Sequence, residues 1–419
     1  MICIGWRNDM RDILAKLGVE SSSALQFKRE DVDLALCGLL FFDPTGGNPN
    51  PVLSLVRYSI VIYLVVKYAR DAVRLPIPLA LLAAFSVVMG CVTYFNSGSL
   101  SQSCAGMRFG MQIIASYLVF IHAVERDGFS RVLLLLAMFF LVALLVNDIL
   151  MIALPYDRAD ATVLYLLGSK FTVSYGHAFL FCVLVAIVHS HRALMLCMGA
   201  LCALMSYLAG SMTGLIVVIV AVLLSYTPKR SRKLLSKPLV VVMAVVLVNF
   251  LVWGPIDLFS NPLTQSFIVN ILGKSANMTG RIPIYNMTMQ FVAEKPLFGW
   301  GFQTDIYREV LGFGNAQNGV FHMLTQCGLV GTALYFSGLL LSFGRGIEDR
   351  SRCFGLYSFL LAMAVASVVE ITLSSQFAFC VSLISAAELS MSHEAHVPMN
   401  PAKLDDSAFD GAVMKGSPE

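Results

Sequence analysis

Charge is scarce in this sequence. Only 13% of its 419 residues are Asp, Glu, Lys or Arg, against about a quarter in an ordinary soluble domain. With 57% hydrophobic residues and a mean hydropathy of +0.75, most of the chain must face lipid. No Cys-x-x-Cys pair occurs, and Cys37, Cys91, Cys182, Cys197, Cys202, Cys327 and Cys380 lie in apolar runs, where a thiol is a small hydrophobe rather than part of a disulfide framework. Walker A loops, dinucleotide fingerprints and solenoid repeats are absent, which argues against an ATP-driven pump. No acidic pair has glycosidase spacing, no His, Asp or Cys cluster suggests a metal, and nothing points to nucleic acid. Residues 1–31 mix five basic with five acidic side chains and contain no apolar h-region, so they read as a cytoplasmic segment rather than a signal peptide.

What remains is apolar and periodic. Nine apolar runs lie within 32–258 and three within 319–389, predicting an all-α, polytopic integral membrane protein of about 12 transmembrane helices. The first run, 32–43, is short and ends at Asp43-Pro44. Lysine and arginine set the orientation. With the N-terminus inside, the inner loops hold Lys67, Arg70, Arg74, Arg126, Arg131, Arg192, the block from Lys229 to Lys237, Arg345, Arg350 and Arg352. The short outer connections hold only Arg158 and Lys170. Residues 259–318 then form a large outer loop, and the tail 390–419, rich in Ser, Pro and Asp, is an expected disordered cytoplasmic segment. The basic block reads as a topology determinant at an anionic leaflet, with specific lipid binding as the alternative.

Within the outer loop, Thr279 is a candidate cap for a helix running from about Arg281 to Glu294, which Pro296 ends. Gly299 and Gly301 permit a sharp turn, and a second short helix is expected over about 303–311. Two such helices would make a lid over a cavity. Arg57 and Arg108 fall near the outer ends of apolar runs, where an arginine either snorkels to the interface or binds an anionic group such as a diphosphate. Arg158, Lys170, Lys274, Arg281, Lys295 and Arg308 add outward positive charge. Asp148, Asn147 and Glu370 are the polar candidates within the membrane.

Three motifs resemble the O-antigen polymerase and O-antigen ligase superfamily: Thr279-Gly280-Arg281, the elbow Pro296-Leu297-Phe298-Gly299-Trp300-Gly301, and Gln317-Asn318 followed by Gly328 and Gly331. The stretch from Gly168 to His177 is similar to a segment of capsule and exopolysaccharide polymerases. The resemblance implies a lipid-dependent (GT-C-like) glycosyltransferase of the cytoplasmic membrane, with both termini cytoplasmic and no cofactor. Its substrate would be an undecaprenyl-diphosphate-linked oligosaccharide at the outer face, with membrane lipids, a chain-length regulator and a flippase as partners. The reading adopted is a polysaccharide polymerase, which joins the growing glycan to the next lipid-linked repeat unit; a ligase that moves the finished chain to another acceptor and a lipid or oligosaccharide transporter are the alternatives. Arg57, Arg108, Arg158, Lys170, Arg281 and Arg308, as outward basic residues, are candidate diphosphate or substrate ligands, and the resemblance adds to this for Arg281 and Lys170. Arg281, Gln317, Asn318, His322 and His177 are candidate catalytic residues. Gln317 stands where the family has histidine, and an amide can hydrogen-bond a hydroxyl but not take its proton. In a helix continuous through both positions His322 would sit about 140° around from Gln317 and could not replace it unless the helix starts later. Met212 also departs from a basic position common in relatives.

Overall fold

The computed structural model describes residues 28–44, 50–154, 164–188, 192–253, 281–312, 314–344 and 350–396, together with Pro262 and Ser266. The loop 259–280 (apart from those two positions), the N-terminal segment before Lys28 and the tail beyond His396 lie outside the described residues. Among the described residues the fold is all-α apart from one short hairpin. In chain order the helices are α1 (Asp31–Leu39), α2 (Pro51–Tyr68), α3 (Pro76–Ser97), α4 (Leu100–Asp127) and α5 (Phe129–Ala153). The hairpin β1 (Leu164–Tyr165) and β2 (Gly168–Ser169) leads into α6 (Lys170–Ile187), α7 (Arg192–Leu208), α8 (Met212–Ser225), α9 (Lys229–Leu235) and α10 (Pro238–Trp253). The lid helices α11 (Arg281–Glu294) and α12 (Ile306–Leu311) precede α13 (Gly319–Leu341), α14 (Phe354–Ala366) and α15 (Ser375–His396).

Every apolar run has its helix, but not every helix has the length to cross a bilayer. By length and composition six of the described helices qualify (α2, α3, α4, α5, α6 and α13), or seven if α9 and α10, bent by 75°, make one broken span. The shorter apolar helices α7, α8 and α14 fill out the bundle. α1 is only nine residues long and works as a buried plug. Asp33 binds Lys67 Nζ at 2.5 Å and the Tyr68 hydroxyl at 2.6 Å, and Asp31 pairs with Arg131 at 3.0 Å. α15 continues to His396, so the expected disordered tail does not begin at 390.

Helices that start at the end of the bundle shared with the lid are capped by side chains. Asn50, Ser99, Ser169, Ser211 and Asn318 accept from backbone amides at the starts of α2, α4, α6, α8 and α13. Each cap satisfies an amide that the helix cannot and that a low-dielectric setting would penalise. The core beneath this end is aromatic: Phe41 meets Phe140 at 5.1 Å and Phe379 at 5.3 Å, both edge to face. Small residues bring backbones close, as at Gly214, where a Cβ would lie 2.2 Å from Ser174 Cβ.

The elbow explains its own motif. α13 is not one continuous helix, as its apolar run suggested, but breaks at Gly328 (φ 60°, ψ −168°). The elbow fills the break: Trp300 and Gly301 N–H donate to Thr325 and Gln326 O at 2.7 and 2.9 Å, while Leu329 and Val330 N–H donate to Pro296 and Leu297 O at 2.8 and 3.0 Å. A Cβ on Gly328 would lie 2.3 Å from Leu297 O, so only glycine fits at this backbone conformation and spacing. Phe302 N–H donates to Thr93 Oγ1 at 2.8 Å, tying the elbow to α3.

Candidate functional site

Polar side chains buried in an apolar bundle are costly unless they serve a purpose. Here they gather in one layer. At 1.5 Å per residue, Arg57 lies about 9 Å along α2 from its start, Arg108 about 12 Å along α4, and His177 about 10 Å along α6, all measured from the lid end.

The first group surrounds Arg57, which is buried rather than snorkelling. Asp43, just past α1, ion-pairs with Arg57 Nη1, and Nη2 donates to Gln112 Oε1 at 3.5 Å. Arg57 Nε is buried without a hydrogen-bond partner among the described residues. Arg108 lies with its guanidinium carbon 4.9 Å from the centre of the Tyr58 ring, within electrostatic reach of Arg57 and Asp43. Because Asp43 already neutralises Arg57, the uncompensated charge of this group is that of Arg108.

The second group follows from the hairpin. Asp43 bridges to Gly168 of β2, where an added Cβ would sit 2.2 Å from Asp43 O. This contact ties Gly168, two residues before Lys170 at the start of α6, to Asp43; the Lys170 ammonium itself lies 5.6 Å from the Phe171 ring centre. One to two turns on, His177 Nε2 lies 3.2 Å from Asp148 Oδ1, and Asn147 Oδ1 accepts from Leu167 N–H at 3.2 Å. Tyr175, between Lys170 and His177, is buried with its hydroxyl unpartnered among the described residues and interacts electrostatically with Glu370.

The third group is the linker between α14 and α15, where Ser367, Val368, Glu370, Thr372 and Leu373 are buried. Asn318 Nδ2 donates to Val368 O at 3.2 Å and to Asn249 Oδ1 at 2.9 Å, while its Oδ1 caps α13. Tyr285 of the lid donates to Val368 O at 2.7 Å and Gln317 O at 3.2 Å. Gly319 N–H donates to Ser367 O at 2.7 Å. At the far side of the linker Gln376 Nε2 donates to Phe41 O at 3.0 Å, two residues from Asp43. The linker thus joins the lid, the Gln317–Asn318 turn and the arginine group.

The structure therefore places buried Arg57 and His177 and half-buried Arg108 and Lys170 towards one end of the bundle, and connects Gln317 and Asn318 to that end through the linker. Asn318 has all its described amide contacts within the fold. Gln317 is half-buried in the left-handed region (φ 54°) and precedes the cap, so it lies outside α13. That removes the angular objection to His322: Gln317 and His322 occupy the positions before the cap and four after it, which face one another across a helix start. His322 Nδ1 is buried without a described partner. Arg308 stands apart, exposed on α12 and paired with Asp305 at 3.4 Å. Arg281 begins α11, though its side chain, like Arg158, Lys274 and the Thr279-Gly280 cap, lies outside the described residues. α12 is fastened to α13 by the Tyr307 hydroxyl, 2.7 Å from Thr325 Oγ1, and burial pushes that hydroxyl above its ordinary pKa.

Sequence reasoning passed over Asp43, Gln112, Tyr175, Tyr285, Asn249 and Gln376. Their signal was present as polar residues in or beside apolar runs, the same signal that singled out Asp148, Asn147 and Glu370.

Residues 193–336 match a family model described as O-antigen ligase. The match supports the resemblance to the O-antigen polymerase and ligase superfamily over that stretch. The match runs from α7 into α13, so it takes in the lid, the elbow and the Gln317–Asn318 turn, while the Arg57 and His177 groups lie outside it. Members of the superfamily are glycosyltransferase-like enzymes, and the apolar helices agree with a multi-pass membrane protein. No curated protein matches the chain.

Proposed function

We propose that the chain is a polysaccharide polymerase that moves a growing glycan from undecaprenyl diphosphate onto the next lipid-linked repeat unit at the outer face of the cytoplasmic membrane. The observation that carries this reading is the group of cations, buried Arg57 and half-buried Arg108 and Lys170, near the starts of α2, α4 and α6. It supports a polyanionic donor headgroup entering an otherwise apolar bundle, because a guanidinium presents permanently charged, bidentate donors to phosphate. In the proposed step an acceptor hydroxyl oxygen bonds the anomeric carbon while the bond from that carbon to the diphosphate oxygen breaks. The electron pair leaves on undecaprenyl diphosphate, where Arg108 and Lys170 stabilise it, the larger part of the catalysis in such a reaction. Gln317 orients the hydroxyl and His322 takes its proton. Arg281, at the start of α11, is proposed to engage the same diphosphate.

A ligase reading, in which the finished chain passes to another acceptor, is favoured by the match to an O-antigen ligase family. One experiment separates the two. The protein in nanodiscs is given a synthetic undecaprenyl-diphosphate repeat unit as sole substrate, comparing wild type with Arg108→Ala and Arg281→Ala. A ladder of longer lipid-linked glycans, lost in both variants, is the expected result; transfer only after a second acceptor is added identifies the ligase. Absence of transfer under either condition overturns both.

A further inference from the structure

From Ala161 to Ile256 the sequence contains no Asp or Glu, yet it holds Arg192, Lys229, Arg230, Arg232, Lys233 and Lys237. These cations lie at the end of the bundle opposite the candidate site, since Lys170 begins α6 and Val185, near its other end, lines a crevice with Arg192, Met195, Ser225, Tyr226 and Arg232. Two guanidinium-bearing side chains thus converge on one crevice, and no acidic residue from the elements that form it faces them.

Arg232 is held rigidly. Its Nε and Nη2 donate to Thr227 and Ser225 O at 2.9 and 3.0 Å, and its guanidinium carbon lies 5.1 Å from the Phe354 ring centre. Nη1 has no described partner. Tyr226 donates to Arg192 O at 3.1 Å, fixing the start of α7 beside the end of α8, while the Arg192 guanidinium makes no hydrogen bond to another described residue. The carboxylate at this end of α15, Glu388, is saturated by Arg350 at 2.7 Å, Tyr357 at 2.9 Å and Gly344 N–H at 2.8 Å. Among the described residues no carboxylate neutralises the pair. The surroundings say what kind of group could. α9 is turned 75° from α10, as a segment lying along a membrane surface is. Leu223 and Leu234, two residues along the chain from the crevice-lining Ser225 and Arg232, are 67% and 56% exposed, surfaces suited to acyl chains.

We propose that this crevice binds the phosphodiester headgroup of an anionic phospholipid, with Arg192 and Arg232 as its ligands and Leu223 and Leu234 against the acyl chains. The inference is independent of the transfer reaction. It differs from general attraction of a basic loop to an anionic leaflet in depending on two specific residues and not on the exposed Lys229 and Arg230. The test uses full-length protein in mild detergent, titrated with dioleoyl phosphatidylglycerol, dioleoyl phosphatidylcholine or inorganic phosphate, with bound lipid read by native mass spectrometry and stabilisation by thermal melting. Wild type retains phosphatidylglycerol over phosphatidylcholine. At about 1 kcal/mol per basic residue, Arg192→Gln weakens retention about fivefold and Arg192→Gln with Arg232→Gln about 25-fold, whereas Lys229→Gln with Arg230→Gln changes it less than twofold. Arg192→Gln alone keeps the test valid if loss of the Arg232 bonds at the end of α8 impairs folding. Equal losses in the Lys229/Arg230 variant, retention unchanged in Arg192→Gln, or stabilisation by inorganic phosphate without selective lipid retention each overturn the proposal.

Discussion

At the residue scale, Arg57 shows how a charge is made tolerable inside a bundle. Asp43 neutralises it and Gln112 orients it, so the cost of burying the guanidinium is offset by partners rather than by water. Because the Asp43 side chain is itself 36% exposed, Asp43→Ala is expected to destabilise the protein by only about 1–3 kcal/mol, measured as a fall in melting temperature in detergent. Arg108 has no carboxylate bound to it. Arg108→Ala is expected to lower glycan transfer on the order of 100-fold with little change in melting temperature, and Arg108→Lys to recover part of the loss. A stable Arg108→Ala variant that transfers at the wild-type rate would remove Arg108 from the site. Gln317 tests a different link, that between backbone strain and chemistry. A non-glycine residue in the left-handed region costs about 1 kcal/mol, so Gln317→Gly should raise stability by about that amount while transfer falls, because the amide that orients the hydroxyl is gone. Unchanged activity in that variant would place the acceptor elsewhere.

At the scale of elements, the break in α13 and the elbow form one unit. The elbow supplies the hydrogen bonds that the helix loses at Gly328, which lets a non-helical backbone persist inside an apolar bundle. Gly328→Ala adds a Cβ where Leu297 O already sits and demands a backbone region reserved for glycine. It should destabilise by about 1–3 kcal/mol and release the elbow, seen as faster proteolysis between Pro296 and Gly301. Pro296, Gly299 and Gly301 were visible in the sequence as a turn, and Gly328 as part of a motif. That they complete each other was not, because the two segments are joined by pairing between backbones and no side-chain pattern records such pairing. The linker between α14 and α15 was hidden for a related reason. Ser367 to Ser374 read as an interruption of two apolar runs, whereas its buried carbonyls, left free by the break in the helices, accept from Asn318, Tyr285 and Tyr335.

For the molecule as a whole, the distribution of charge between the two ends of the bundle predicts its orientation. A reporter fused after Arg308 should be active only outside the cytoplasm, and one fused after Lys233 only within it; the same side for both would overturn the proposed topology. The sequence by itself determined that the chain is an all-α membrane protein with a more polar, helix-bearing segment between its ninth and tenth apolar runs, because hydropathy and charge asymmetry act along the chain and need no partner. It also marked Arg281 to Glu294 as a helix, with the boundaries found. Tertiary structure alone decided which polar residues share a layer: Asp43 meets Arg57 and Gly168, and Gln376 meets Phe41 across more than three hundred residues of chain. It also decided that α13 begins after Gln317, which takes Gln317 out of the helix that carries His322. Such juxtapositions depend on how helices cross and where they break, and these are set by packing among many side chains rather than by any local pattern.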